Sequence, residues 1–302
     1  MNVGSGMIAA GFTCAATREV RSPKIRKRKE IQRFPAMLIG PFLPFVEQRS
    51  LLFELTKREV LGRYRGASFG LFWALLSPFL MLCVYTVAFG FVMKSKWPHA
   101  VEGRANFALI LYVGLIIHGF FAECVARSPR LIVDNSNFVK RVIFPLDVLP
   151  WAMILSAFFH ALMSMLVFVV LYVITSGSPP WTVVFFPLVL LPFVFVVNGL
   201  AWFLASLGVY LRDINQVTGV LITALLFLSS AIMPLDSVPE RYQAIFQLNP
   251  LTFIIDQARE VALWGGLPDW VGLTWYTLKA TVFMYLGHAW FRFTRSGFAD
   301  VL

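Results

Sequence analysis

Few residues in this chain could do chemistry, and their spacing excludes more than it offers. No glycine is followed by lysine, so the Gly-x-x-x-x-Gly-Lys-Ser/Thr loop that cradles nucleotide phosphates cannot form. His99, His118, His160 and His288 lie far apart, and Cys14, Cys83 and Cys124 are scattered, so no metal-ligand spacing exists. No two acids stand at helical spacing inside an apolar stretch, as an intramembrane hydrolase would need. What stands out is charge set against apolar surroundings. Glu123 and Arg127 lie at i,i+4. In NFVKRVIFPLDVLP (137–150), Lys140 and Arg141 precede an apolar run that holds Pro145, Asp147 and Pro150. Lys279 interrupts a stretch otherwise free of charge.

The elements that position these groups follow from composition. The 302 residues are 58% hydrophobic and 14% charged, where a soluble domain needs about a quarter charged. Several stretches exceed the roughly 18 residues that cross a bilayer as a helix. The fold class is an all-α polytopic membrane protein; the short alternating strands of a membrane barrel are not visible. Six spans are expected at about 67–93, 105–126, 148–175, 181–211, 214–235 and 270–291. Before them, residues 1–46 form a basic, largely irregular segment, and 47–302 form the membrane domain. Pro35, Pro41 and Pro44 argue against a regular helix at 34–46. Residues 50–66 are too charged to span and read as an interfacial helix, with Glu54–Arg58 and Glu59–Arg63 as i,i+4 pairs.

The net charge of +10 is concentrated. Half of the 26 Lys and Arg residues precede residue 67, including a cluster from Arg18 to Arg33. Beside a membrane domain this pattern suits anionic lipid, not nucleic acid. With the N-terminus inside, about twenty of the cations fall on the inner side and about five outside, so both termini are expected to be cytoplasmic. Between spans five and six, Ser237 and Glu240 form a capping box. Asn249 reads as an N-cap, Pro250 as the first helical residue and Gly265 as the stop. Both helices are too short to span. They are expected to dip in as a re-entrant pair that gates the outer mouth, or else to lie on the lipid as an amphipathic loop. Pro145 is expected to separate a loop helix from span three, with Asp147 favouring that span's N-terminus.

A chain with spans and no nucleotide site must borrow energy from a partner that docks on its cytoplasmic segments. The order of LTKREVLGRYRGASFGLFWALLSP (55–78), GLIIHGFFAECVARS (114–128), DNSNFVKRVIFPLDVLP (134–150), LRDI (211–214) and MPLDSVPERYQAIFQLNPLTFIIDQARE (233–260) resembles the membrane subunit of ABC-2 type exporters. Among these it is similar to the permeases that export O-antigen, teichoic acid or capsule. It departs from them at His118, where the family often has Trp, and at 233–235; the first 45 or so residues have no counterpart.

The resemblance implies a homodimer of type V exporter-like subunits in the bacterial cytoplasmic (inner) membrane, with two nucleotide-binding ATPase subunits on separate chains. ATP and Mg would sit on those partners and no cofactor on this chain. It implies export of a polyprenyl-pyrophosphate-linked glycan, O-antigen first, with teichoic acid, capsule or a drug or small lipid as alternatives. Glu54, Lys57, Arg58, Asn135, Asn137, Lys140, Arg141 and Pro145 would couple to the ATPase. Pro239, Glu240, Asn249 and Pro250 would form the periplasmic gate. Arg63 and Arg65 are candidates for the lipid pyrophosphate, with a simple lipid-headgroup anchor equally open. Phe72, Trp73, Phe79, Tyr85, Phe120 and Phe121 are candidates for the sugar path.

Overall fold

The structure is a computed structural model that describes residues 40–88, 107–139 and 144–302. All its regular elements are helical, and no strand occurs among the described residues. Two short N-terminal helices, α1 (Leu43–Glu47) and α2 (Arg49–Arg63), precede the bundle. The bundle comprises α3 (Trp73–Tyr85), α4 (Phe107–Arg127), α7 (Val148–Ser176), α8 (Phe186–Tyr210), α9 (Ile214–Phe227) and α12 (Trp270–Thr294). Between α4 and α7 lie the single turns α5 (Leu131–Asp134) and α6 (Ser136–Val139). Between α9 and α12 lie α10 (Glu240–Leu248) and α11 (Pro250–Arg259), and α13 (Phe298–Val301) ends the chain.

Among the described residues, four helical stretches are long and apolar enough to cross a membrane: Gly70–Ala88, Phe107–Asp134, Val148–Ser176 and Trp181–Tyr210. Helix α12 rises about 37 Å, enough to cross, but is more polar. It lies directly against α8, where Gly199 and Gly287 face each other. A Cβ on Gly287 would sit 2.2 Å from the Gly199 carbonyl oxygen, so only glycine permits this backbone contact. Span five differs from expectation. Helix α9 stops at Phe227 and rises about 21 Å, well short of the hydrocarbon core of about 30 Å.

Where α9 stops, Arg259 takes over. Residues Ser229, Ser230 and Ala231 leave the helix yet are wholly buried. Their environment is completed by α11, whose Arg259 has a side chain with no solvent exposure. The guanidinium donates to the carbonyls of Ile110 (3.1 Å), Ser230 (2.6 Å) and Ala231 (2.9 Å). One side chain thus joins α4, the end of α9 and α11. Gly114 makes room for it, since a Cβ there would lie 2.9 Å from an Arg259 nitrogen. Asn249 adds a second tie: its side chain caps α11 at the Leu251 amide (3.0 Å) and donates to the Leu225 and Leu228 carbonyls. Gly265 ends the last turn after α11 with φ +75°, as expected.

The expected capping box at Ser237 and Glu240 does not form. Ser237 belongs to a separate 3-10 turn, and α10 begins at Glu240 behind Pro239. Pro239 holds Val238 extended (φ −89°, ψ 129°), which breaks the chain between the two box residues. Residues 40–47 also differ from expectation, being helical. Pro41 lies in the opening 3-10 turn and Pro44 in the first turn of α1, where proline is tolerated. This segment docks on α7: the Trp151 indole donates to the Pro41 carbonyl (2.7 Å), and Phe45 meets the Trp151 ring edge-on at 4.7 Å.

Replacing Arg259 with Met should strand these carbonyls and lower stability by about 3 kcal/mol or more. Arg259→Lys, which has no planar fork, should rescue only part of it. Thermal unfolding of the detergent-purified protein, followed by size-exclusion fluorescence, measures both.

Candidate functional site

The charged groups meet where α2 crosses α4 and α7. Helix α2 buries Leu52 and Leu55 against the bundle. This face turns Glu59 and Arg63 toward α4, which presents Glu123 and Arg127 one turn apart. Glu123 is the hub. It accepts from Arg63 Nη1 at 2.5 Å, lies 3.5 Å from Arg127 Nη1, and meets His160 Nδ1 of α7 at 3.0 and 3.1 Å. Arg127 also pairs with Glu59. The expected Glu123–Arg127 pair is therefore present, whereas Glu59 turns from Arg63 to Arg127 on the neighbouring helix. The side chain of Arg63 is half exposed (50%), while that of Glu123 is 15% exposed. Exposed ion pairs are individually weak, so the value of this cluster lies in joining three helices at one level.

That level has a geometric meaning. From Phe107 to Glu123, and again from His160 to Ser176, the helices rise about 25 Å, close to one hydrocarbon thickness. Toward the loop they continue for roughly another 16–18 Å. This extension carries apolar residues such as Ile132, Val148 and Trp151, all buried, in part by α1 and α2. The N-terminal helices thus clad the part of the bundle that projects past the charged belt.

Above the cluster, α3, α4 and α7 enclose a groove of about 550 Å³. Arg63, Tyr64, Glu123 and His160 form its foot, and Trp73, Tyr85, Tyr112 and Phe120 supply aromatic faces. Burial raises the Tyr64 phenol above its usual pKa, with Arg63 opposing and Glu123 reinforcing the shift, so it stays a neutral donor. His160 Nε2 is buried without a hydrogen-bond partner among the described residues, and the buried Tyr112 hydroxyl faces Ser164. Polar tips and ring faces on one wall suit a polyhydroxylated ligand, whose C–H faces stack while its hydroxyls take the hydrogen bonds.

Of the six expected path aromatics, Trp73, Tyr85 and Phe120 line this groove. Phe72 (56%) and Phe79 (40%) are exposed elsewhere, and Phe121 is buried against Phe193 of α8 at 6.2 Å. The i,i+4 series Trp73, Ser77, Met81, Tyr85 marks the lining face of α3; Phe72 and Phe79 lie off it. Consecutive residues point about 100° apart, which separates Phe121 from Phe120. Tyr64, Tyr112, Ser77 and Ser164 were not among the expected residues, although the same spacing could have found all but Tyr64. His118 also lines the groove and donates to the Ile222 carbonyl of α9 at 3.1 Å.

The expected coupling residues divide. Glu54, Lys57 and Arg58 are exposed on α2, and Arg65 is exposed beyond its end. Arg58 lies over the Phe138 ring (5.6 Å), and Phe138 stacks on Phe144 at 4.3 Å. Asn135 caps the preceding turn by donating to the Leu131 carbonyl (2.9 Å), and Asn137 is exposed. Lys140 and Arg141 lie outside the described residues. Pro145 is half-buried, and its carbonyl accepts from the Val148 amide at the start of α7. Asp147 stands at the N-cap of α7 but makes no capping hydrogen bond. It faces Arg295 (3.4 Å) and His288 (3.7 Å), and Arg295 also donates to the Phe144 carbonyl (3.2 Å). The acid thus clamps the C-terminal segment to the loop instead of capping its helix. At the far end, Asn249 and Pro250 start α11 as expected, with Leu251, Ile254, Ile255 and Ala258 buried. Pro239 caps α10, and Glu240 opens it exposed to the surroundings.

The family model described as "ABC-2 type transporter" matches residues 50–263. The chain is 27% identical over 256 residues to an O-antigen export system permease protein, RfbA, of Myxococcus xanthus, covering 84% of this chain and 96% of that one. It is 25% identical over 253 residues to the polysialic acid transport protein KpsM of Escherichia coli, covering 82% and 95%. It is also 30% identical over 228 residues to a putative transport permease, ycf38, of Cyanophora paradoxa, covering 71% and 72%.

Glu123→Gln should leave Arg63 and Arg127 without their shared negative charge and cost about 1–2 kcal/mol. Hydrogen exchange should accelerate over 56–66. Glu54→Gln, on the exposed face of α2, should change neither thermal unfolding nor exchange.

Proposed function

The chain belongs to the ABC-2 type transporter family, and on that premise we propose that it is the permease subunit of an ATP-driven exporter of polyprenyl-pyrophosphate-linked polysaccharide, of the O-antigen class. The observation that carries this reading is the groove of about 550 Å³, aromatic along its wall and charged at its foot. A lipid-linked glycan has the matching parts: a diphosphate, ring faces and many hydroxyls. The charged foot takes the cytoplasmic side, in keeping with the excess of Lys and Arg there, and both termini lie on that side of the inner membrane. Arg63 is held by Glu123, so a diphosphate would exchange with that carboxylate for the guanidinium. Arg65, exposed just beyond α2, is free to reach the same head group.

Helix α3 and Leu226 of α9 border the groove, and both helices keep broad apolar surface exposed. A second copy packed on these flanks would close two half-grooves into one passage. Energy would come from two copies of a separate ATPase subunit that hold ATP and Mg. They would dock on the exposed face of α2 and the turns from Ser128 to Pro145. A push there reaches α2 through Arg58 on Phe138, and α7 and α12 through Phe144, Arg295 and Asp147. Helices α10 and α11 would open and close the periplasmic mouth. Export of a capsular polysaccharide is the second reading, supported by the relative whose name specifies polysialic acid transport.

The test is to look for an ABC ATPase gene beside this one and co-express its product with this chain, followed by gene deletion. The reading expects the two proteins to co-purify, ATP hydrolysis to require the partner, and deletion to trap lipid-linked glycan inside. Loss of O-antigen or of capsule from the surface distinguishes the two substrates. Normal surface glycan after deletion would overturn both. Arg295→Gln and Pro145→Ala should leave the complex assembled but reduce export per ATP hydrolysed, roughly two- to thirty-fold. Equal loss of assembly would make the clamp purely structural.

A further inference from the structure

We propose that the groove between α11 and α12 is a binding site for an anionic phospholipid of the leaflet opposite the charged belt. The groove holds about 670 Å³ and shares no lining residue with the aromatic groove. Phe253 and Tyr276 stack at 5.6 Å to form its floor, locked by the Tyr276 hydroxyl on the Pro250 carbonyl (2.8 Å). Trp275 borders it, and so does Lys279. The groove is therefore built, apolar and provided with a single cation.

Lys279 has no acid within ion-pair distance among the described residues. Helix α12 carries no acid between Trp270 and Thr294. Lys279 lies about 14 Å along α12 from its Trp270 end, within the hydrocarbon by this measure. A lysine stem of roughly 6 Å brings the ammonium toward the nearer head-group layer. Exposed Gln247 stands at the upper rim with a further polar group. Below, Val282 (55%), Phe283 (42%) and Leu286 (64%) offer exposed apolar surface along which acyl chains can lie. A phosphate on Lys279 with chains on that surface satisfies both features, whereas a soluble anion would use only the first. A two-fold contact between copies through this face would bring two Lys279 ammoniums together with no acid between them. The inference does not rest on the transport reading.

The experiment uses the full-length protein in detergent, with native mass spectrometry to count bound lipid. Phosphatidylglycerol should be retained over phosphatidylcholine by about fivefold, the preference one lysine gives against anionic lipid. Lys279→Met should lower the count by one retained phosphatidylglycerol, the lipid held by the basic residues 18–33 remaining, and Lys279→Arg should keep it. Brominated phosphatidylglycerol should quench the wild type more than Trp275→Phe, which tests the site should Lys279→Met fail to fold. An unchanged count in Lys279→Met, or equal quenching of wild type and Trp275→Phe, overturns the proposal. Protection from unfolding by inorganic phosphate equal to that by the lipid would assign the site to a free anion and also overturn it.

Discussion

Hydrocarbon offers no partner to a free carbonyl, so a chain that leaves the helix within a bilayer must bring its own donors. Arg259 is that donor here. Its planar fork reaches the carbonyls of Ile110, Ser230 and Ala231, three acceptors that a lysine could not hold in one plane. Because those acceptors are satisfied, α9 can end at Phe227 and the chain can turn back as α10 and α11. Because α11 is held, Leu251, Ile254 and Ile255 can fill the space beside α4 and α8. The short fifth helix, the inserted α11 and the burial of the first turns of α4 thus share one cause.

The second constraint is the charged belt. Placing Glu123 and His160 at one level divides α4 and α7 into an apolar length of about 25 Å and a projecting remainder. The remainder would expose Trp151 and its neighbours to water. Helices α1 and α2 cover them, with Phe42 and Phe45 on Trp151 and the Pro41 carbonyl on its indole N–H. A segment that reads as an irregular proline-rich stretch is a lid on a projecting hydrophobic surface.

Local signals were legible in the sequence and distant ones were not. The all-α class and most helix positions follow from uncharged runs, and the Asn249–Pro250 start of α11 follows from chemistry within three residues. Glu123–Arg127 was also legible because both lie on one helix. Glu59 was misassigned because its partner is on another helix, out of reach of any i,i+4 rule. Asp147 shows the same limit: it stands at the N-terminus of α7 as its position suggests, but its tie to Arg295, far away in sequence, is out of reach of any local rule. Arg259 reads in the sequence as one more cation between spans five and six, since nothing local distinguishes a solvated arginine from one wholly buried on carbonyls. The groove was half legible. Helical spacing marks Trp73, Ser77 and Tyr85, but only the packing of α4 on α8 shows that Phe121 points away.

The two ends of the bundle are held by different physics, and this decides where it can move. Arg259 has no exposed surface: it faces Asp256 of its own helix at 3.7 Å and donates to three buried carbonyls that water does not reach. At the belt, Arg63 is half exposed and its partner is a carboxylate that another anion can replace. Ion pairs of that kind rearrange at small cost. The far end therefore follows α4 and α9 as a body, while the belt is where a charged ligand or a docked protein can change the arrangement. Residues 128–139 and 144–147 lie beside the belt, held at Phe138 by Arg58 and at Phe144 by Arg295. A displacement there reaches α2 and α12 at once, so these helices shift together before α11 is disturbed.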